Sequence, residues 1–340
     1  MAQIFPTDYN KAREIAVSAI EMMRLKRFPF DRDLTSLFPD SILPEGIEQG
    51  SREHALFLFH AVSIDSMRQA EKVYEAMRAL SGYLNRDFTQ LTHISEHDLR
   101  KFLARFFGGN SLGNPTKTLK ENADRLEKKC GSDPRCLLVG RDVMATIAAI
   151  DKFTQYGIPK AALLMKNYVR SGVWNLPNCE IPIKIDRHVL RMSLGKGVIP
   201  KPQKYAETVD WQGKLPVALA EAVEQLVRMG HYKREDFKRG NVRVVRAYKF
   251  IPTLTEVYRE VTRREGISAI DLDDATWAIG AYACKINNGI HCETSCGIRC
   301  DKRFPSDNNA CWFFLDVDKR RDAVNLFNVN RINSKPKVKK

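Results

Sequence analysis

The segment FTQYGIPKAALLMKNYVRSGVWNLPNCEIPIKIDRHVLR, residues Phe153–Arg191, is the stretch around which we expect the chain to be organised. It predicts a turn, a helix that opens with Lys160, a loop broken by prolines, and a second helix that opens after Asp186. Gly157 predicts a turn with positive φ, because glycine adopts that conformation without steric cost. Pro159 suits the first turn of a helix, and aspartate at 186 is a favoured N-cap residue. On this spacing alone, Lys160 and Asp186 are either a surface charge and a helix cap or two groups that face a common cleft.

The composition is that of a globular protein with an excess of positive charge. Of its 340 residues, 44% are hydrophobic and 28% are charged, and 55 Lys and Arg against 41 Asp and Glu leave a net charge of +14. Such an excess favours a nucleic acid partner, because neutralising phosphates releases counterions. The N-terminus lacks the pattern of a signal peptide, and no run approaches the roughly 18 apolar residues of a membrane span. We therefore expect an intracellular, cytoplasmic protein with no membrane segment.

Apolar residues recur at helical spacing along most of the chain, and no alternating strand pattern of useful length is found. The fold class predicted from this pattern is all-α. Ser95 and Asp98 predict a capping box, and Asn114 followed by Pro115 predicts a helix start. Helices are predicted within the following segments, caps included: 8–27, 51–59, 66–84, 95–107, 114–129, 133–155, 215–229, 243–264 and 271–283.

The run IKIDRHVLR, residues 183–191, resembles the helix start that carries the catalytic aspartate in the helix–hairpin–helix DNA glycosylase superfamily, including endonuclease III. It is closer still to the IDRH segment of the archaeal-type 8-oxoguanine glycosylases. Upstream, GIPKAALLMKN resembles the hairpin motif GxGxKxA, whose lysine is the Schiff-base nucleophile of the bifunctional members. The resemblance implies that Lys160 is the nucleophile and Asp186 the essential carboxylate. Lys166 would give a more usual spacing to the aspartate and is the second candidate nucleophile.

Five of the eight cysteines lie within residues 284–311, a density typical of thiolates that bind a metal ion or an iron–sulfur cluster. Endonuclease III and its relatives carry a four-cysteine loop with a [4Fe–4S] cluster after a late helix, and the resemblance implies the same cofactor here. Its ligands would be Cys284, Cys292, Cys296 and Cys300, with Cys311 as a substitute. Zinc bound by the same thiolates is the alternative. The remaining cysteines, Cys130, Cys136 and Cys179, are isolated in the sequence, and we expect structural roles for them.

The resemblance implies a base-excision repair enzyme, a DNA glycosylase and AP lyase, that acts as a monomer on double-stranded DNA. A damaged base, such as an oxidised purine, would be flipped out of the duplex. Lys160 would attack the sugar C1′, and Asp186 would stabilise the charge that develops as the base leaves. The Schiff base would then permit strand cleavage. The DNA contacts would be the backbone around Gly157, which would hold a phosphate, and the side chains of Arg187, His188 and Arg191, where His188 would pack or contact a phosphate rather than act as a base.

The implied fold is a two-lobed helix–hairpin–helix glycosylase with a C-terminal cysteine-rich loop. Its parts would be an N-terminal helix and loop (1–50), a glycosylase-like core (51–283), the cysteine-rich loop (284–311) and a basic tail (312–340). Two alternatives remain open. An N-glycosidase of free modified nucleosides or nucleotides could share the aspartate without needing a basic surface. A non-enzymatic nucleic-acid-binding protein could combine a degenerate hairpin with a zinc-ordered C-terminus.

Overall fold

A computed structural model describes residues 5–34, 43–65, 70–107, 113–200, 207–209, 242–283, 298, 312–314 and 324–326. Most of these residues are helical, which confirms the predicted helical character of the chain. Their α-helices are α1 (Tyr9–Arg24), α2 (Arg52–Ile64), α3 (Ala70–Tyr83), α4 (Glu96–Phe107), α5 (Gly113–Cys130), α6 (Val143–Ile150), α7 (Ile158–Arg170), α8 (Arg187–Lys196), α9 (Ile251–Glu265) and α10 (Ala269–Ala278). Shorter segments are the 3-10 turns Phe88–Thr92, Pro134–Leu137 and Ala247–Phe250 and the π-helical turn Ile279–Ala283. No described helix combines the length and apolar composition that crossing a membrane requires.

The chain forms two compact units, each built from separate stretches of the sequence. The first unit comprises Met1–Asp31, Ile185–Val261 and Asp274–Lys340. The second unit comprises Arg32–Lys184 and Thr262–Asp273. The core predicted over 51–283 therefore contributes residues to both units. The two helices at the centre of the sequence prediction are also divided between them, since α7 belongs to the second unit and α8 to the first.

The second unit is organised around α2, whose residues from His54 to Ile64 are all buried. Because α2 is apolar on every side, it suits the interior of a helical layer, and α3, α5 and α7 pack around it. The predicted start of this helix is confirmed, since Ser51 Oγ accepts the His54 N–H at 3.1 Å. The ring of Phe59 packs edge-on against Phe153, with the ring centroids 5.1 Å apart. Helix α2 therefore supports the turn that precedes α7.

One predicted helix of the second unit, over 133–155, is interrupted. A 3-10 turn comes first, Gly140 then adopts φ +53°, and α6 begins only at Val143. Asp142 caps α6 by accepting the Ala145 N–H at 2.9 Å. A residue in the left-handed region followed by an aspartate cap separates the two helical pieces, and both residue types favour a break. The result is a short α6 that leads into α7 through a tight turn.

The first unit contains a sheet that the sequence analysis does not predict. Its strands, in antiparallel order, are β1 (Glu207–Val209), β2 (Val242–Arg246), β3 (Trp312–Phe314) and β4 (Val324–Leu326). The predicted helix 243–264 is wrong at its start, because VRVVR forms β2 and its β-branched valines suit a strand. Helix α9 begins at Ile251, and Pro252 fits only in the first turn of a helix. The other strands have three residues each, too few for an alternating pattern to be recognised.

Helices α1 and α8 pack against each other in the first unit. Lys196 Nζ of α8 lies 2.8 Å from the Glu14 carboxylate of α1. The N–H of Asp8, which caps α1, donates to the Val198 carbonyl at 2.8 Å, just beyond the end of α8. These contacts join the N-terminal helix to the helix that follows Asp186. The helix predicted over 215–229 lies outside the described residues.

Candidate functional site

Lys160 is the third residue of α7, and its side chain is partly exposed. Helix α7 begins at Ile158, two residues before the predicted start, with Gly157 as its N-cap and Pro159 in its first turn. Gly157 has φ −161° and ψ 174°, an extended conformation, so the predicted positive φ is wrong at this residue. The left-handed residue of the turn is Gln155, with φ 63°. Because glycine has no side chain to act as a cap, the start of α7 has no side-chain cap hydrogen bond.

Hydrogen bonds to α5 and α2 hold the turn between α6 and α7. Asn122 Oδ1 accepts the Thr154 N–H at 2.7 Å, and Asn122 Nδ2 donates to the Thr154 carbonyl at 3.0 Å. Thr154 Oγ1 donates to the Glu121 carboxylate at 2.8 Å, and this hydrogen bond lowers the pKa of Glu121. The Tyr156 hydroxyl donates to the Phe59 carbonyl at 2.6 Å, and burial raises the pKa of Tyr156 well above its ordinary value. The start of α7 is therefore fixed on two sides within the second unit.

The amine of Lys160 is oriented by the end of α2. Its Nζ donates a hydrogen bond to the Ser63 carbonyl oxygen at 2.7 Å. Ser63 lies in the last turn of α2, where carbonyl groups lack partners further along the helix and carry partial negative charge. The Ser63 hydroxyl in turn donates to the His60 carbonyl at 2.7 Å. The ammonium thus donates to a backbone carbonyl at the end of α2, and Lys160 is partly exposed.

Lys166, the second candidate nucleophile, lies in a different environment two turns along α7. It is 3% exposed, and its Nζ lies 2.6 Å from Asp273 Oδ2. Asp273 Oδ1 accepts the backbone N–H of Lys184 at 2.6 Å, so the carboxylate joins α7, α10 and the segment before α8. A buried ion pair of this kind strongly resists the removal of one partner, because the other charge would stay desolvated. The contacts of Lys166 are those of a structural residue.

Asp186 forms the predicted N-cap of α8. Its Oδ1 accepts the N–H groups of His188 at 2.8 Å and Val189 at 3.2 Å. The residues before it alternate between buried and partly buried positions, and Ile183 and Ile185 are each 1% exposed. The two buried isoleucines and the cap together fix the position of the Asp186 carboxylate. The Asp186 side chain itself is partly exposed.

His188 and Arg191 are buried, with 4% and 5% exposure. Arg191 Nη2 donates to the Gly280 carbonyl at 2.8 Å and lies 2.9 Å from His188 Nδ1. Arg187 Nε donates towards His188 Nε2 at 3.3 Å on the other side of the ring. Because a guanidinium only donates and a neutral imidazole has one acceptor nitrogen, the tautomer decides which of the two arginines donates to the ring. Of the predicted DNA contacts, His188 and Arg191 are therefore packing residues in this structure, while Gly157 and Arg187 are partly exposed.

The predicted metal ligands Cys284, Cys292, Cys296, Cys300 and Cys311 all lie outside the described residues. Within the residues that the structure does describe, no group of three or more His, Cys, Asp or Glu side chains could hold a metal ion. That finding does not reach the cysteine-rich segment. The prediction of a [4Fe–4S] cluster or zinc there stays a prediction.

Two cysteines that the sequence analysis treats as isolated are joined. Cys130, the last residue of α5, forms a disulfide with Cys136 in the following 3-10 turn. Arg52 Nε donates to the Ser132 carbonyl at 3.3 Å and so ties the enclosed loop to α2. Cys179 is free, and its carbonyl accepts the Thr262 hydroxyl at 2.9 Å. The disulfide thus closes a short loop in the second unit, and Cys179 takes part in that unit through its backbone carbonyl.

The sequence does not predict Asp273, which contacts Lys166, or Gly280, which contacts His188 and Arg191. Nothing local marks Asp273, whose partner Lys166 is 107 positions away. Gly280 carries a weak signal, because a glycine inside a helical segment often marks a close approach of another group. The structure brings Lys166 and Asp273 together in the second unit and His188 and Gly280 together in the first.

Comparison of the chain with protein-family models found no match, and comparison with curated protein sequences found none either.

Proposed function

We propose that the protein is a DNA N-glycosylase with an associated AP lyase activity, which removes a damaged base such as an oxidised purine from double-stranded DNA. The observation that carries the proposal is a pair of helix starts. Lys160 lies in the first turn of α7 with a partly exposed side chain, and Asp186 caps α8. The superfamily resemblance assigns the nucleophile and the essential carboxylate to these two residues. A net charge of +14 supports a polyanionic partner.

Lys160 is the proposed nucleophile, and Lys166 is not. A lysine that forms a Schiff base must lose its proton and reach the sugar C1′. Lys166 is buried and pairs with a carboxylate, which favours the charged amine and blocks access. Lys160 bonds a neutral carbonyl oxygen and keeps contact with solvent, so a substrate can replace that bond. This choice follows from the difference in burial between the two lysines.

In the proposed reaction, the lone pair of Lys160 Nζ forms a bond to C1′ while the bond from C1′ to the base breaks. The bonding electrons leave with the base, which takes up a proton. The Asp186 carboxylate stabilises the positive charge that develops on the sugar. Opening of the sugar ring gives an imine, and loss of a C2′ proton then expels the 3′ phosphate and cleaves the strand. Water releases the lysine in a last step.

The remaining parts of the proposal concern binding. The N–H groups at the start of α7, beside Gly157, are the proposed phosphate contact, because helix N-termini attract anions. Arg187 is the second proposed contact. The C-terminal cysteines are proposed to hold a [4Fe–4S] cluster, with zinc as the alternative, and this centre has a structural role.

The test uses a panel of duplexes, each with one damaged base, in the presence of sodium borohydride, which reduces the imine and leaves protein joined to DNA. The parent protein should release base and form an adduct with at least one lesion. Lys160→Ala should form none. Lys152→Ala is the matched control, because Lys152 is an exposed lysine of the turn before α7 and should trap like the parent.

An adduct with Lys160→Ala at the parental level would exclude Lys160 as the nucleophile. Base release without any adduct would point to a glycosylase that lacks the lyase step. A parent protein that binds duplexes but releases no base from any of them would overturn the enzyme and favour a nucleic-acid-binding protein.

A further inference from the structure

The π-helical turn Ile279–Ala283 packs against α8 within the first unit. Gly280 of this turn is buried, and a Cβ built on it would lie 2.3 Å from His188 Cβ, 2.7 Å from Cγ and 2.9 Å from Nδ1. Carbon atoms that are not bonded pack at about 3.5–4.0 Å. Only glycine therefore fits at position 280 with His188 in its place. The close approach of the Gly280 backbone to the His188 side chain is a specific feature of the fold.

Arg191 also takes part in the contact between Gly280 and His188. Its guanidinium donates to the Gly280 carbonyl at 2.8 Å and lies 2.9 Å from His188 Nδ1. Because Arg191 and His188 are almost completely buried, these contacts are shielded from water. The π-helical turn, the His188 ring and the Arg191 side chain thus form one packed contact behind the start of α8.

We infer that Gly280 is a positioning residue for Asp186, an inference that rests on the proposed function. The link is short: Gly280 sets the position of His188, and the His188 N–H is held by Asp186 Oδ1 at 2.8 Å. A displaced His188 would carry the capping N–H groups, and so the carboxylate, with it. Single π-helical turns occur frequently at functional sites. Gly280 acts through His188 and touches no substrate itself.

Gly280→Ala is the direct perturbation. To bring the new Cβ from 2.3 Å to an ordinary contact distance, His188 or the π-helical turn must move by about 1 Å. A displacement of that size at a reacting group slows chemistry by about 10²-fold. DNA affinity should fall by a smaller factor than the rate, because of the two proposed phosphate contacts only Arg187 lies at the start of α8 and the other lies at the start of α7. Gly82→Ala in α3 is the matched control, since a Cβ there meets nothing within 4 Å and its effect should be neutral.

The experiment combines two measurements on each full-length variant. Hydrogen exchange, resolved to single amides by electron-transfer fragmentation, reports whether Asp186 still holds the N–H groups of His188 and Val189. Single-turnover base release and duplex titration report rate and affinity separately. Gly280→Ala should accelerate exchange at both amides and slow release by about 10²-fold, with a smaller loss of affinity. Gly82→Ala should change none of the three.

A second variant covers the case in which Gly280→Ala folds poorly. In His188→Gly the opposing Cβ is gone, so adding Gly280→Ala to that background should have no further effect on exchange or rate. If Gly280→Ala causes a further loss of rate in the His188→Gly background, the inference is overturned. It is also overturned if Gly280→Ala leaves amide exchange at His188 and Val189 unchanged, or accelerates that exchange while base release stays at the parental rate. If the parent releases no base at all, the proposed function fails, and the amide exchange alone then decides whether Gly280 positions Asp186.

Discussion

Replacing Lys166 with methionine should strongly destabilise the protein. Lys166 and Asp273 have 4% and 5% of their side-chain surface exposed, and Nζ lies 2.6 Å from Oδ2. Methionine keeps the unbranched apolar stem and removes only the ammonium. The Asp273 carboxylate then stays in the interior without the positive charge that compensates its desolvation.

The expected magnitude follows from burial. Removing one partner of a buried ion pair costs about 3–5 kcal/mol, whereas an exposed pair contributes about 0.2–1 kcal/mol. Lys117 and Glu121 on α5 supply the exposed comparison, with Nζ and Oε1 3.6 Å apart and side-chain exposures of 68% and 40%. We expect Lys166→Met to lower the free energy of unfolding by about 3–5 kcal/mol and Lys117→Met by less than about 1 kcal/mol.

Urea denaturation followed by circular dichroism measures both variants. Adding Asp273→Asn to Lys166→Met should recover most of the loss, because asparagine removes the remaining charge and keeps an acceptor for the Lys184 N–H. Equal, small losses for the two methionine variants would refute the argument from burial. They would also restore Lys166 as a candidate nucleophile.

Three further predictions concern the carboxylate, a buried histidine and the cysteines. Asp186→Asn should abolish base release at nearly unchanged DNA affinity, because the amide keeps the cap acceptor but removes the charge that the transition state requires; single-turnover release at the parental rate would reduce Asp186 to a helix cap. Burial lowers the pKa of His60 from 6.5 to about 3. Between these two values the unfolded chain binds a proton on His60 and the folded chain does not. The contribution of the neutral His60 to the free energy of unfolding is therefore complete above pH 6.5 and is lost as the pH falls towards 3. His60→Phe should remove a slope of up to about 1.4 kcal/mol per pH unit from acid denaturation curves, and an unchanged slope would contradict the assignment. Protein purified without oxygen should be brown and should lose its broad visible absorption when Cys292 or Cys296 becomes serine. Colourless protein with stoichiometric zinc would show that the site holds zinc and not a cluster. Metal-free protein that stays folded and active would exclude both metal centres.

Helix caps are the part of the fold that sequence reasoning predicts best. Ser95 Oγ accepts the Asp98 N–H at 3.0 Å, which is one half of the predicted capping box, and the Ser95 hydroxyl donates to the Asp98 carboxylate at 2.6 Å. Asp186 caps α8 in the same local way. Strands are predicted worst: β1, β3 and β4 are too short to show a pattern, and the valines of β2 precede a helix closely enough to be read as its first turn.

The sequence by itself determined the helical class of this protein, the starts of α2 and α8, and Lys160 in the first turn of α7. Each of these depends on residues within about four positions of one another, so local hydrogen bonding and side-chain spacing decide them. Only the tertiary structure decided that Lys166 is buried against Asp273, 107 positions away, and that Arg191 bonds Gly280, 89 positions away. Whether a charge finds a partner, or a glycine leaves room for a histidine, depends on which distant segments pack together. That packing is set by the burial of apolar surface over the whole chain, and no window of neighbouring residues contains it.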